Sequence, residues 1–538
     1  MRKLIVFILS LLPFTVLAQG VERVFVSSDR SVYISGDEIW CSVFCLDGTE
    51  GKLSGYSAVC YVELVSEEGT VASAKIALME GRGAGKFRIP VEAPTGNYRL
   101  LAYTAKYPDA FCPGARTVSV FNTTSVARVK NGVRVTDGYE PQKTGIFASD
   151  GLLSISLREI PVSGQSFSIG LKNGSDAATL SLSVYAVDSI REPENGDMYS
   201  FIEALPSAGG ANPSSKTGEY EGEIIYAAVE GLEGEALVTL SSAGSPSDVY
   251  VGKVGESGRL MFFTNNIYGD RELVCEVGGK SGNISLLDPF RYPSLDSVEV
   301  LELSPGLAGD LLRRKAALHA SLQADTLVDF IPRRQDILLE KVYKTTYHLD
   351  DYTRFPSFNE VIVEIVPELR IRKIHGEHGL QLIVPDASGS RRIVKDNILV
   401  MLDGVVISSL SLLEGMDAML LQDIDIYEES IALGGISYNG CVNFITRRNY
   451  VKALQFPSNV RVVDFKGVCY PEAYLGTPIS GTDNRQLLYW NPIMELPAGE
   501  SKVISLTAPS VPGIYRIKAD GLTVSGKPVH EILDIEVR

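Results

Sequence analysis

The stretch Val21–Gly48, VERVFVSSDRSVYISGDEIWCSVFCLDG, decides the fold class of this chain. It reads as a strand, a polar turn and a second strand. In the second strand Cys41 and Cys45 lie four apart on one face, while Trp40, Ser42 and Phe44 occupy the other. Downstream, YVELVSEEGTVASAKIAL predicts a hairpin around Glu68-Gly69. GRGAGKFRIPVEAPTGNYRLLAYT then alternates Phe87, Ile89 and Val91, turns at Pro94-Thr95-Gly96, and ends in Tyr98, Leu100 and Ala102. Each run is too short to bury itself alone, so two packed sheets over residues 20–122 are the expected solution.

The same period-two alternation recurs along the chain. GLLSISLREI, SGQSFSIGLKN and ATLSLSVYAVD predict a second sandwich unit over 140–190. Residues 191–218, rich in Pro, Gly, Ser, Asn and Glu, read as a linker or loop. EIIYAAVEG, ALVTLSSAG, VYVGKVGESGRLMFFTN and ELVCEVGG predict a sandwich over 219–288. Residues 300–345 read as a linker with a helix at 306–324. There Leu311, Leu312, Ala316, His319 and Leu322 form the stripe, and Arg313, Arg314 and Lys315 a solvated face.

Residues 346–450 change to a mixed α/β pattern. Ser357 is placed to cap a helix with Val361, Ile362 and Ile365 buried, and Pro367 ends it. NILVMLDGVVIS is a strand with an Asp403-Gly404 hairpin turn, LLEGMDAMLLQDIDIYEES a short helix running into a strand. LGGISYNGCVNFIT closes the region, with Gly434 and Gly435 supplying tight backbone geometry. A last sandwich is expected over 455–538. The fold class is therefore mostly β and multi-domain: several Ig/fibronectin-like sandwiches plus one small α+β domain.

Composition agrees. A chain of 538 residues suggests roughly three to five domains. Its 50 Gly and 26 Pro suit short strands joined by tight turns. A formal charge of −16 argues against nucleic acid and against electrostatic attraction to anionic lipid. The first residues, MRKLIVFILSLLPFTVLAQG, read as a secretion signal (residues 1–18): Arg2 and Lys3 precede an apolar run, and Val16 and Ala18 suit cleavage before Gln19. The run is short for a membrane span and Pro13 interrupts it, so no transmembrane segment is expected after cleavage. The seven Cys (Cys41, Cys45, Cys60, Cys112, Cys275, Cys441, Cys469) leave at least one thiol unpaired, allow one or two disulfides, and mostly read as small buried hydrophobes.

Three resemblances follow from these residues. SVYISGDEIWCSVF with GAGKFRIPVEAPTGNYRLLAYT resembles the second macroglobulin-type domain of secreted bacterial proteins, and Trp490-Asn491-Pro492 with GIYRIKADG is similar to a macroglobulin-type strand pattern. The 219–288 unit, with its Gly255–Gly258 turn, resembles transthyretin-like carboxypeptidase regulatory modules. Leu402–Val405, Asp423–Glu428 and Gly434–Thr446 together resemble the plug domain of TonB-dependent outer-membrane receptors. No barrel sequence follows the plug-like segment and no energy-coupling box is found, so transport by this chain alone is not expected. The combination resembles secreted or outer-membrane proteins of the Bacteroidetes.

Candidate chemistry is thin. His375-Gly376-Glu377-His378 lacks the helical i, i+4 histidine pair of zinc proteases, and a solvated turn is the expectation. Gly81–Lys86 lacks the Ser or Thr of a phosphate loop and sits between strands. Cys275-Glu276-Val277-Gly278 is not a thioester run, and no G-x-S-x-G elbow occurs. Asp423, Asp425, Glu428 and Glu429 are read as keeping an edge strand soluble. No catalytic, cofactor-binding or metal-binding residue is assigned. The expected protein is a non-enzymatic binding or assembly module of the Gram-negative envelope, periplasmic, outer-membrane associated or at the cell surface. Its expected partner is an envelope protein, with no small-molecule ligand named. The alternatives are a thioester-less macroglobulin-like protein that interacts with proteases, an accessory of TonB-dependent uptake, and an enzyme whose site carries no recognised motif.

Overall fold

The computed structural model describes residues 20–124, 133–135, 151–232, 234–243, 248–265, 267–278, 282–293, 295, 297–303, 306–323, 327–330, 342–374, 377–385, 390–448, 451, 456–476 and 482–538. The segment expected as a signal lies outside them. The chain is mostly β, in several sheets that pair into sandwiches, with one α+β unit.

In the first sandwich, strands Glu22–Ser28, Glu38–Asp47 and Arg82–Arg88 face a five-stranded sheet built around Gly96–Tyr103 and Val59–Ser66. Val24, Val26, Cys41, Val43 and Cys45 meet Cys60, Val62, Leu64, Leu100 and Val118 between the sheets. The Glu68-Gly69 turn joins Val59–Ser66 to Gly69–Ala77 as expected. Gly81–Lys86 is a turn and an edge strand, not an anion loop. A Cβ at Gly83 would meet the Ala77 carbonyl oxygen at 2.5 Å and one at Gly85 the Cys469 Cβ at 2.8 Å, so these glycines permit close strand approach. All seven thiols are free, and Cys41, Cys45, Cys60, Cys275 and Cys441 are buried.

The outer face of Glu38–Asp47 is buried too. Trp40 packs with Tyr185, Tyr474, Leu487 and Trp490, while Phe44 packs with Phe25, Met198, Phe201 and Leu205. Residues 191–218 thus differ from a plain linker. Met198–Ala204 is a helix capped by Asp197, and its Met198 and Phe201 sit over the junction of two sandwiches. Apolar side chains at positions 198, 201 and 205 make one helical face that the surrounding Pro and Gly obscure.

The segments expected as two separate sandwiches, 140–190 and 455–538, form one. Leu153–Leu157 pairs with Ser166–Asn173, which pairs in turn with Ser501–Thr507, and Ala178–Val187 lies between Leu487–Leu496 and Gly513–Thr523. Eight of the ten residues of Ala178–Val187 are buried, so this strand is covered on both faces. Leu180, Leu182 and Val184 share their core with Leu488, Ile517 and Ile535. Residues 460–466, expected in that last domain, instead pair with Asp270–Val277 and widen the third sandwich, whose other strands lie within 224–286.

Leu307–Gln323 is helical as expected, but the buried stripe is different. Leu312 and Leu322 are 68% and 57% exposed, whereas Arg314 is 5% exposed. Its Nε donates to Asp188 at 2.7 Å and its Nη1 to the Val32 carbonyl at 2.8 Å. The buried face, with Asp310, Arg314 and Ala317, is therefore the one that the spacing assigned to solvent, and its guanidinium is tolerated there because it is paired.

Candidate functional site

The α+β unit, residues 345–446, is built by local rules that place its sheets. Helix Phe358–Ile365 buries Phe358, Val361, Ile362 and Ile365. Ser357 sits at its cap position without a side-chain cap bond. The Phe358 ring meets Phe444 edge-on, with ring centres 5.1 Å apart. Strand Leu399–Leu402 runs parallel to Cys441–Thr446. Asp403 and Gly404 both take positive φ, 49° and 82°, which closes the expected hairpin to Val405–Val406. The Asp403 carboxylate accepts from Thr446 N at 2.7 Å, Thr446 Oγ1 at 2.7 Å and Val451 N at 3.2 Å, tying the turn to the closing strand.

Strand Leu421–Tyr427 is interior, between Thr345–His348 and Cys441–Thr446, which corrects the edge-strand reading of its carboxylates. Asp425 is 3% exposed, with Lys344 Nζ and Thr346 Oγ1 each at 2.6 Å, and Asp423 lies 2.8 Å from His348 Nδ1. Glu428 and Glu429 follow beyond the strand, half-buried and exposed. Buried carboxylates need such partners.

This unit is mounted on the third sandwich. Val406 N donates to Ser241 Oγ at 3.2 Å, and Ser408 donates to the Glu276 carboxylate through both N and Oγ. The hairpin Ile431–Leu433 to Ile436–Tyr438, turned by Gly434 and Gly435, packs Ile431 and Leu433 against Val249 and Val251.

A second sheet has three strands. Glu377–Pro385 lies between Leu369–Ile374 and Arg391–Val394, and among the described residues neither outer strand has a further strand partner. Residues 369–395 carry Arg370, Arg372, Lys373, Arg391, Arg392 and Lys395 against only Glu377 and Asp386, on a chain of net charge −16. Arg370, Arg372, Lys373, Arg391 and Arg392 are exposed. Arg391 is 3.8 Å from Glu368, and among the described residues Arg370, Arg372, Lys373 and Arg392 have no carboxylate partner. Sequence reasoning missed this basic sheet. The visible signal was the local reversal of charge within an acidic chain. In the neighbouring HGEH run, His375, Gly376 and the Glu377 side chain lie outside the described residues. His378 is exposed, with Nδ1 2.7 Å from the Glu414 carboxylate.

The remaining polar clusters are structural in geometry. Ser27 Oγ donates to Asp520 at 3.0 Å and His530 Nδ1 is 2.6 Å from the same carboxylate. The carboxylate is thus central, whereas a hydrolytic triad needs the imidazole between serine and acid. Burial favours protonating Asp520, but Lys518, His530 and Arg116 outweigh it and hold its pKa far below the carboxylate range. Between the first and third sandwiches, Lys75 Nζ lies 2.6 Å from Glu223 and 4.2 Å from the Phe465 ring centre. Beside it Glu219 accepts from Tyr61 at 2.9 Å and from Ile224 N at 3.0 Å, and burial pushes its pKa up to about 7. Burial likewise raises the Cys275 thiol to about 12, so it is not a ready nucleophile.

A cavity of about 300 Å³ opens where the first two sandwiches meet helix Leu307–Gln323, lined by Arg30, Lys86, Arg88, Arg314 and Arg485 beside Trp40 and Tyr474. Each cation already has an acid within 3.0 Å: Asp29 and Asp37, Glu472, Glu38, Asp188 and Asp483 respectively. The cavity wall is charge-balanced. No group of three His, Cys, Asp or Glu able to hold a metal occurs among the described residues.

Comparison with known proteins assigns no family: no family model matches, and no curated protein matches. Among solved structures, the chain is similar to Salmonella alpha-2-macroglobulin reacted with methylamine, at 8% identity and TM-score 0.24. There 96% of this chain covers 39% of that one. For the native conformation of Escherichia coli alpha-2-macroglobulin the values are 9% and 0.24, with 96% of this chain over 40% of that one. A tetra-tandem repeat from the extending region of a large adhesion protein gives 9% and 0.13, covering 96% and 99%. The chain thus spans about 40% of the macroglobulins' length. At such scores the likeness goes no further than β-sandwich architecture.

Proposed function

We propose that this chain is a non-enzymatic binding and assembly module of the Gram-negative cell envelope, in which β-sandwiches hold a plug-like unit for an envelope protein to engage. The observation that carries this reading is the mounting of residues 345–446. One side is fixed to the third sandwich through Val406, Ser408 and the Gly434 hairpin, while among the described residues the three-stranded sheet has two unpaired edges. A rigidly mounted open sheet suits recognition by strand addition. The plug-like residues of the sequence support the envelope setting, as does the signal-like leader. No helix among the described residues is long and apolar enough to cross a membrane.

The protease-interacting reading needs an accessible cleavage segment. Its candidate, 191–218, contains a helix with buried Met198 and Phe201, which favours the assembly reading instead. The test is photo-crosslinking in intact cells from probes placed at Val363 and Tyr352, both exposed on this unit. A discrete crosslink to one envelope protein is expected. Crosslinks indistinguishable from those of a probe at exposed Val524 on the second sandwich would sink the proposal.

A further inference from the structure

We infer that the edge strand Leu369–Ile374 receives an acidic, extended polypeptide segment by strand addition. The inference rests on the binding-module reading above and names the partner chemistry of the same unit. Leu369–Ile374 pairs with Glu377–Pro385 in unbroken register, from Leu369↔Leu382 to Ile374↔Glu377, and among the described residues no strand pairs with its other side. It contains neither Pro nor a bulge, two devices that usually block an edge.

Its charges select the occupant. Arg370 and Arg372 share one face, and alternate residues of a strand stand about 6.6 Å apart, from a rise of about 3.3 Å per residue. An added strand with acids at alternate positions would repeat at that same interval. The row of cations also repels a second copy of itself, which is the ordinary reason for charge on an edge. A partner of opposite sign is attracted by the same row. An anionic bilayer is disfavoured because it would meet the field of the whole molecule, at −16. A short segment feels mainly the charges within roughly 8–10 Å at physiological salt.

The test uses the full chain and a fluorescent peptide of alternating Glu and Thr. Binding by anisotropy is expected, weakening as salt rises. Methylating alternate backbone nitrogens, in one of the two possible registers, should lower affinity by at least about tenfold, since strand addition needs those donors. The double variant Arg370→Glu with Arg372→Glu should do the same, with an unchanged circular dichroism spectrum and melting temperature showing that it folds. Equal binding by both methylated peptides, by the double variant, or by a Lys-Thr peptide would overturn the inference. So would binding of phosphatidylglycerol vesicles without the peptide. If the envelope crosslink above is seen in the parent protein while the peptide does not bind it, this inference falls and the assembly reading stands. If the parent shows neither, both fall.

Discussion

Glu219 shows how much one buried side chain can report. Its carboxyl is buried beside Glu223 at the seam of the first and third sandwiches, and its pKa rises from 4.5 to about 7. The folded state therefore holds a proton that the unfolded chain releases near pH 4.5. The stability this contributes is complete below about pH 4.5 and is lost as pH rises through 7, amounting to about 3 kcal/mol at most. Glu223 is shifted in the same direction by burial, opposed by Lys75. In Glu219→Gln the decline in melting temperature of the seam between pH 5 and 8 should flatten, and the variant should exceed the parent above pH 7. An identical pH profile in both proteins would contradict the assignment.

At the scale of elements, the local rules were legible because they act between neighbours. The helix stripe Val361, Ile362 and Ile365, the Asp403-Gly404 turn and the tight backbone at Gly434-Gly435 all read directly from short spacing, whereas the hairpin that those glycines turn did not. Arg314 was not legible, since its burial depends on Asp188 and Val32, far away in sequence. The basic strands 369–374 and 391–394 were passed over because charge was weighed on the whole chain. One element is sharply testable. Gly434 has φ +54°, and a Cβ there would lie 2.1 Å from the Val251 carbonyl oxygen. Gly434→Ala should cost about 2 kcal/mol or more and raise amide exchange across residues 431–438, as the hairpin lifts from the third sandwich. Gly435→Ala, with nothing within 4 Å of its Cβ, should cost only about 1 kcal/mol for its positive φ.

At the scale of the molecule, the second sandwich was misdivided because alternation reports which face is buried, not which strand lies alongside. Three strands near residues 153–187 and four within 487–537 each carried a sandwich signature. Only pairing shows that they are halves. A chain ending at residue 486 loses Leu487–Leu496, Ser501–Thr507, Gly513–Thr523 and Pro528–Val537. Hydrogen exchange over 178–187 should then reach the rate of an unfolded peptide, while the core of the first sandwich, around Val62 and Leu100, should retain most of its protection. Persistent protection of Leu180, Leu182 and Val184 would show that the halves fold independently.

The joined halves also set the order of events on the ribosome. Residues 152–187 emerge early and wait, with one apolar face uncovered, until the last fifty or so residues arrive. Most of the chain between 188 and 486, including the α+β unit, is then an insertion between halves joined through both sheets of one sandwich, to which it adds only Leu327–Phe330 and Glu472–Gly476. The cost of closing so long a loop grows only logarithmically with its length, so the burden is one of time more than of free energy. A product cut short before Pro528–Val537 leaves Gly513–Thr523 with a row of unpaired backbone groups, the kind of edge that invites wrong pairing.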